Sequence, residues 1–400
     1  MEKLRRQLFY IGTFLIILQK CPPVLETKYE LFRIIIYGLF AFLLAISFPK
    51  IIKVKIKKLM VAVCIFCFLQ LILFLIMELF GLFINWEDLV EIAIPISIIL
   101  IGASFNFSEE DLVRISLFFI MLTLVVSFWQ IYYFQRNFFI QESYTIPIKN
   151  SMGPFLVISN AILLYYLLFY SRGKNNSALV KIIYSAIIIF GFYLSLVIRS
   201  RSSILAFLLY FAILLIKKHR YLQLSAVLIL MVLLIIIPGL KLKDYIIKPV
   251  LDSFTLNYYP YDLENISAGR LSVFKDAIWV IKEEPLFGLS MMRYDFRGTP
   301  HNYLVNKMVR YGIFGSISFI IIYILFGIFC LKHIIFRKPA IENLGVFLFI
   351  IPFIISFFEY TYPFGPGTAN FMVFLMFSTA VKVRRHKELK HEDSSCCPTL

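Results

Sequence analysis

The chain has 400 residues, of which 60% are hydrophobic and only 16% are charged. A soluble domain has an apolar fraction of about 45–50%, so this composition excludes a water-soluble globular protein. The net charge of +16 would indicate nucleic-acid binding on a soluble protein. On a membrane protein it reflects the excess of Lys and Arg in cytoplasmic segments, so no nucleic-acid partner is expected.

The apolar residues occur in runs that approach the ~20 residues needed to cross the hydrocarbon layer as a helix. The alternation typical of a β-barrel is missing, so we predict an all-α polytopic membrane protein with about 12 transmembrane helices. No repeat or linker divides residues 1–400, which are predicted to form a single membrane domain. In chain order, the predicted spans are 8–25, 31–48, 59–80, 89–103, 113–133, 153–170, 180–198, 202–216, 221–239, 312–331, 342–359 and 368–381.

Basic residues predict the orientation of these spans. With the N-terminus in the cytoplasm, the inside segments contain more than half of the 40 basic residues, as the positive-inside rule requires. Both termini are therefore predicted to be cytoplasmic. The exception is a large periplasmic loop, residues 241–311, which carries about 10 basic residues on the disfavoured side. Either a loop of this length tolerates them, or they are kept there to bind an anion.

Residues Ser267–Lys282 of this loop have the pattern of an amphipathic helix, which Ser267 is expected to cap. Such a helix is predicted to lie on the membrane surface. Its apolar face is predicted to consist of residues that recur at helical spacing, namely Leu271, Phe274, Ile278 and Ile281.

One histidine of the five is predicted to face outside. This is His301, in the segment Thr299-Pro-His-Asn-Tyr-Leu304 just before a span. Histidine changes charge near neutral pH, so it suits proton transfer. The alternative interpretation is an incidental polar loop residue.

Arg199 and Arg201 lie in the turn Arg199-Ser-Arg-Ser-Ser203 between two predicted spans. About 16 residues separate Arg201 from Lys217, which gives roughly 24 Å of helix, less than the ~30 Å of the hydrocarbon core. Arg201 is therefore predicted at the outer hydrocarbon boundary, where it either snorkels to headgroups or binds an anion. Arginine suits a diphosphate because its planar fork binds two oxygens and keeps its charge.

Several short motifs follow one another over roughly residues 195–320, from the end of the predicted span 180–198 into the predicted span 312–331. In this order they resemble the O-antigen ligase and polymerase superfamily. The motifs are Ser200-Arg-Ser-Ser203, Gly269-Arg270-Leu-Ser-Val-Phe274 with Trp279, Glu284-Pro-Leu-Phe-Gly288, His301-Asn-Tyr-Leu304 and Tyr311-Gly-Ile-Phe-Gly315.

The resemblance implies an inverting membrane glycosyltransferase fold that acts on undecaprenyl-diphosphate-linked glycans at the periplasmic face of the bacterial inner membrane. It implies that Arg201 and Arg270 hold the donor diphosphate and that His301 activates the acceptor hydroxyl. Arg199 is added on chemical grounds. Because fixed arginines can stabilise the leaving group by preorganised electrostatics, neither a metal nor a cofactor is expected.

The predicted site thus has three groups of residues. The catalytic pair is His301 and Arg270, and the predicted acceptor or glycan contacts are Asn302 and Tyr303. The predicted diphosphate-binding residues are Arg199, Arg201, Arg270, Arg293, Arg297 and Arg310.

Three functions are open at this stage. A polymerase that joins lipid-linked repeat units is favoured, because the stretch between Arg270 and His301 is compact. The alternatives are an O-antigen ligase that transfers glycan to lipid A core, and a lipid-linked oligosaccharide flippase. A flippase should show two related halves and charges inside its helices, whereas the predicted spans are almost free of charge. Membrane lipids and a chain-length regulator protein are the other expected partners.

Overall fold

The computed structural model describes residues 2–27, 29–105, 107–135, 149–170, 177–198, 200–220, 270–290, 298–365 and 370–382. The predicted span 221–239 and three predicted site residues, Arg199, Arg293 and Arg297, lie outside these ranges. So does Ser267, the expected cap of the amphipathic helix.

The described residues are helical apart from turns and one isolated bridge between Ile56 and Lys382. The N-terminal helices are α1 Glu2–Leu18, α2 Pro22–Thr27, α3 Tyr29–Ile51, α4 Lys58–Leu79, α5 Trp86–Ser104, α6 Glu109–Gln135, α7 Lys149–Phe169, α8 Ala178–Ile198 and α9 Arg201–Lys217. The C-terminal helices are α10 Arg270–Glu283, α11 Tyr303–Phe336, α12 Leu344–Leu348, α13 Ile350–Ile355 and α14 Phe371–Val381.

Six of these helices, α3, α4, α6, α7, α8 and α11, are long and apolar enough to cross a membrane. The chain is therefore a polytopic all-α membrane protein. The predicted number of about 12 spans is not reached among the described residues. The first predicted span is interrupted between α1 and α2, and the segment predicted as 342–359 consists of two short helices.

Two helices form the centre of the bundle. In α7 the most apolar window is 83% buried, against 22% in α3 and α4, and α14 is buried along almost its whole length. The outer helices leave large apolar side chains exposed, such as Ile34 on α3 and Phe68 on α4. Because exposed apolar residues of this density are stable only in lipid, these faces mark the membrane-facing perimeter.

The longest helix, α11, is kinked at Gly312, whose φ of +61° is not helical. It begins at Tyr303, before the predicted span 312–331, so the last residues of the predicted loop 241–311 are helical. The kink frees two backbone N–H groups, and these donate to carbonyls of the segment after α10: Ile313 to Pro285 at 2.8 Å and Phe314 to Leu286 at 3.1 Å. The motif Glu284–Gly288 is thus attached directly to the kink.

Candidate functional site

Helix α10 carries Arg270 at its first residue and packs along the start of α11. The contact is a small apolar cluster in which Ala277 and Val280 of α10 meet Val309 of α11. This packing fixes the position of Arg270 relative to His301, which immediately precedes the N-cap of α11.

Part of the predicted apolar face of α10 is exposed and does not pack on α11. Phe274 and Ile278 are each 41% exposed, and Trp279 beside them is 55% exposed, while the buried face is formed by Ala277 and Val280. Periodicity identifies an apolar face but cannot tell a face that packs on a neighbouring helix from one that meets lipid. Phe314, which is itself exposed on α11, contacts Phe287 after α10, so an exposed apolar surface extends over both helices.

The centre of the site is the buried carboxylate of Glu359, whose side chain is 8% exposed. Its Oε1 lies 3.4 Å from Nη2 of Arg270, and its Oε2 lies 3.6 Å from Nδ1 of His301. Nη1 of Arg270 also donates to the Phe358 carbonyl at 3.2 Å. The two residues predicted as the catalytic pair therefore contact opposite oxygens of one carboxylate.

The turn that carries Glu359 is held against α11 by polar contacts. The Tyr303 N–H donates to the Ser356 carbonyl at 3.0 Å, and the hydroxyls of Ser356 and Tyr323 are hydrogen-bonded at 2.9 Å. His301 and Glu359 are therefore placed by the same junction between α11 and the end of α13.

A second group of charged side chains joins α5 to the first turns of α11. Nζ of the fully buried Lys307 lies 2.8 Å from Oδ1 of Asp88 and 3.3 Å from Oε2 of Glu91. Arg310 pairs with Asp88 at 3.1 Å, and the Tyr311 hydroxyl donates to the same carboxylate at 2.7 Å. Two cationic side chains thus lie against two carboxyl groups within the bundle.

Tyr360 lies between the two groups. Its ring meets the His301 imidazole edge to face at 6.5 Å. Burial raises the pKa of Tyr360 above its ordinary value; Arg310 opposes this, and the carboxylates of Glu91, Glu359 and Asp88 add to it. The phenol therefore stays neutral.

The remaining predicted site residues have mixed positions. Arg201 is the partly exposed first residue of α9, a helix that packs against α7 and α13. Asn302 caps α11, where its side-chain oxygen accepts from the Val305 N–H at 3.1 Å. Arg310 has its Nη1 paired with Asp88, which reduces the charge it can offer to a diphosphate.

Tyr303, predicted to contact glycan, is only 1% exposed and stacks on Tyr323 at 5.6 Å. A direct contact with a glycan does not fit this position, because the ring is part of the core. Its buried hydroxyl has no hydrogen-bond partner among the described residues.

Sequence reasoning missed Glu359, Asp88 and Lys307 as parts of the site. Glu359 and Glu91 lie near the ends of the predicted spans 342–359 and 89–103, and Lys307 lies in the predicted loop 241–311. Lys307 and Arg310 precede the predicted span 312–331, but both lie within the helix α11, which begins earlier, at Tyr303. An acid near the end of an apolar run was the available signal, because buried charges in membrane helices are costly and usually paired.

Part of the chain matches a family of known proteins. A family model described as "O-Antigen ligase" matches residues 186–320. The matched stretch includes Arg201, Arg270 and His301, and it ends within α11. No match was found among curated proteins.

Proposed function

We propose that this membrane protein is a glycan-transferring enzyme of polysaccharide biosynthesis, which the match of residues 186–320 to an O-antigen ligase family model supports. We further propose that it is a polymerase, because the stretch between Arg270 and His301 is compact. It joins undecaprenyl-diphosphate-linked repeat units into an O-antigen or capsule-type chain at the periplasmic face of the bacterial inner membrane. In this orientation both termini are cytoplasmic.

The observation that carries the proposal is the contact of Arg270 and His301 with opposite oxygens of Glu359. A glycosyl transfer from a lipid diphosphate needs a fixed cation at the leaving group and a base at the attacking hydroxyl. These two groups must lie near each other at the reacting sugar, and both contact the same carboxylate. Arg270 and His301 are 39% and 35% exposed, so both side chains remain accessible to substrate.

We assign His301 the role of general base. Its Nδ1 is buried beside Glu359, which favours the tautomer that carries the proton on Nδ1 and leaves the Nε2 lone pair free. Nε2 takes the proton of the acceptor hydroxyl, and the hydroxyl oxygen forms a bond to the anomeric carbon of the donor. The bond between that carbon and the diphosphate oxygen breaks, and its electron pair leaves on the lipid diphosphate. The configuration at the anomeric carbon is inverted.

Arg270 stabilises the charge that develops on the departing diphosphate. Its guanidinium is permanently charged and binds two oxygens in its plane. Arg201 is the second proposed diphosphate ligand, at the start of α9, with Arg199, Arg293 and Arg297 as further candidates. The exposed apolar surface of α10 and α11 offers the prenyl chain a lateral approach from the lipid.

The second candidate function is an O-antigen ligase, which uses the same donor but transfers the glycan to lipid A core. The description of the matching family favours it. The donor chemistry of Arg270 and His301 is identical in both cases, so the acceptor is what separates the two functions.

A reconstituted assay tests the proposal. Purified protein in detergent is incubated with undecaprenyl-diphosphate-linked repeat units, alone or with lipid A core. Lengthened lipid-linked chains in the first mixture support the polymerase, and glycan on the core in the second supports the ligase. Because detergent leaves no membrane to cross, product in either mixture contradicts a flippase, and no product in both contradicts the proposed enzyme.

The glycan phenotype of a deletion strain gives an independent answer. Loss of a polymerase leaves single repeat units on the core, whereas loss of a ligase leaves the core bare. Analysis of the lipopolysaccharide by gel electrophoresis distinguishes these patterns without purified substrates.

A further inference from the structure

Glu359 is divided between two side chains that the proposed reaction uses differently. It lies 3.4 Å from Arg270 and 3.6 Å from His301, whereas a committed charge-assisted hydrogen bond is about 2.7–2.9 Å long. The carboxylate therefore lies between a guanidinium and an imidazole without a short contact to either one.

The three groups differ in how easily they can change partner. Glu359 is 8% exposed, so it needs a nearby donor in every state of the protein. Arg270 has a long side chain that is 39% exposed, and it keeps a second anchor at the Phe358 carbonyl. The imidazole is restricted by Tyr360 on one side and by the capped start of α11 that follows it.

A diphosphate competes directly with Glu359 for Arg270. It presents more negative charge and pairs of oxygens that match the planar guanidinium. When Arg270 turns to the diphosphate, Glu359 loses that partner while still buried. The Nδ1 of His301, already 3.6 Å away, is the donor that a small shift of the carboxylate brings into hydrogen-bond distance.

We propose that Glu359 is a positioning residue that exchanges partners when the donor binds, from Arg270 in the resting protein to His301 in the donor complex. The inference rests on the proposed function, since it assigns the diphosphate to Arg270 and the base role to His301. The consequence is that donor binding must precede activation of the base. The imidazole is fixed for proton transfer only after the donor is in place, so acceptor binding alone does not activate it.

The test compares Glu359→Gln with the wild-type protein in two measurements. Binding of undecaprenyl diphosphate to purified protein in detergent reports on Arg270, and kcat for glycan transfer reports on His301. Since the glutamine no longer competes for the guanidinium, binding is expected to tighten about 2- to 5-fold, the range of a partly exposed ion pair. Because the imidazole loses its charged partner, kcat is expected to fall by about 100-fold or more.

These opposite changes separate positioning from a structural role, which weakens binding and turnover together. Glu359→Asp keeps the charge and is expected to recover part of kcat. Glu78→Gln is the matched control, because Glu78 is an exposed carboxylate at the end of α4. A joint loss of binding and kcat in Glu359→Gln, or no change in either, overturns the exchange.

The outcome for the proposed function is read separately. A wild-type protein that transfers no glycan contradicts the proposed function, and binding alone then decides the exchange: equal affinity of wild type and Glu359→Gln overturns it. An active wild type with unchanged binding in the variant overturns the exchange and leaves the proposed function standing.

Discussion

The backbone N–H of Ile313 donates to the carbonyl of Pro285 at 2.8 Å, across the kink that Gly312 introduces in α11. This contact, with its neighbour between Phe314 and Leu286, attaches the segment after α10 to the membrane bundle. The exposed segment that carries Arg270 is thus connected to α11 by backbone hydrogen bonds as well as by apolar packing. Two of the motifs that carry the resemblance, Glu284–Gly288 and Tyr311–Gly315, are the two sides of this junction.

Gly312→Ala is expected to destabilise the junction. A Cβ at this position would collide with the backbone of Leu286 and Phe287, and the left-handed φ adds strain of about 1–3 kcal/mol. We expect lower thermal stability in detergent and loss of transfer activity, because Arg270 is positioned through this contact. Gly38→Ala is the control, since nothing lies within 4 Å of its built Cβ; an equal loss of stability in both variants would contradict the role of the kink.

Arg270→Ala and His301→Ala are expected to lower kcat/KM by about 100-fold or more each, while the protein still inserts and purifies as the wild type does. The Arg270→Ala substitution removes the cation at the leaving group, and His301→Ala removes the base. The measurement is glycan transfer by purified protein. Lys275→Ala is the matched control, because Lys275 is an exposed cation on the same helix; full activity in either site variant removes that residue from the mechanism.

Lys307→Met is expected to destabilise the bundle by about 3–5 kcal/mol, because it leaves buried carboxylates without their central cation. Lys307 pairs with both Asp88 and Glu91 and is 1% exposed. Thermal unfolding in detergent measures the loss.

The double variant Lys307→Met/Asp88→Asn removes one negative charge together with the cation. It is expected to recover part of the lost stability, since a broken pair costs more than a removed one. No recovery at all would mean that Lys307 acts through its packing against Tyr303 and Phe319 and not through its charge.

Trp279 is expected to contact lipid, since it is 55% exposed beside Phe274 and Ile278. The chain has three tryptophans, so replacing Trp86 and Trp129 by Phe leaves Trp279 as the fluorophore. In liposomes we expect quenching by brominated lipids. A variant that keeps Trp129 alone serves as reference, because Trp129 is exposed on the candidate span α6. Quenching of Trp279 by aqueous iodide but not by brominated lipid would place α10 in water.

Several features followed from local sequence alone. Composition and runs of apolar residues decide that the chain is a helical membrane protein, since the cost of exposing backbone and apolar side chains is summed along each segment. Spacing also predicted a helix that begins close to Arg270, and the histidine before α11 was identified from its type and its position beside a span. These inferences need only neighbouring residues.

The tertiary structure decided what those residues contact. Arg270 and Glu359 are 89 residues apart, and Arg310 and Asp88 are 222 apart, so no local pattern relates them. The tertiary structure also buries Tyr303 in the hydrophobic core and pairs Arg310 with a carboxylate. The physical reason is that hydropathy is additive along the chain, whereas the stability of a buried charge depends on the partner that the folded bundle places next to it.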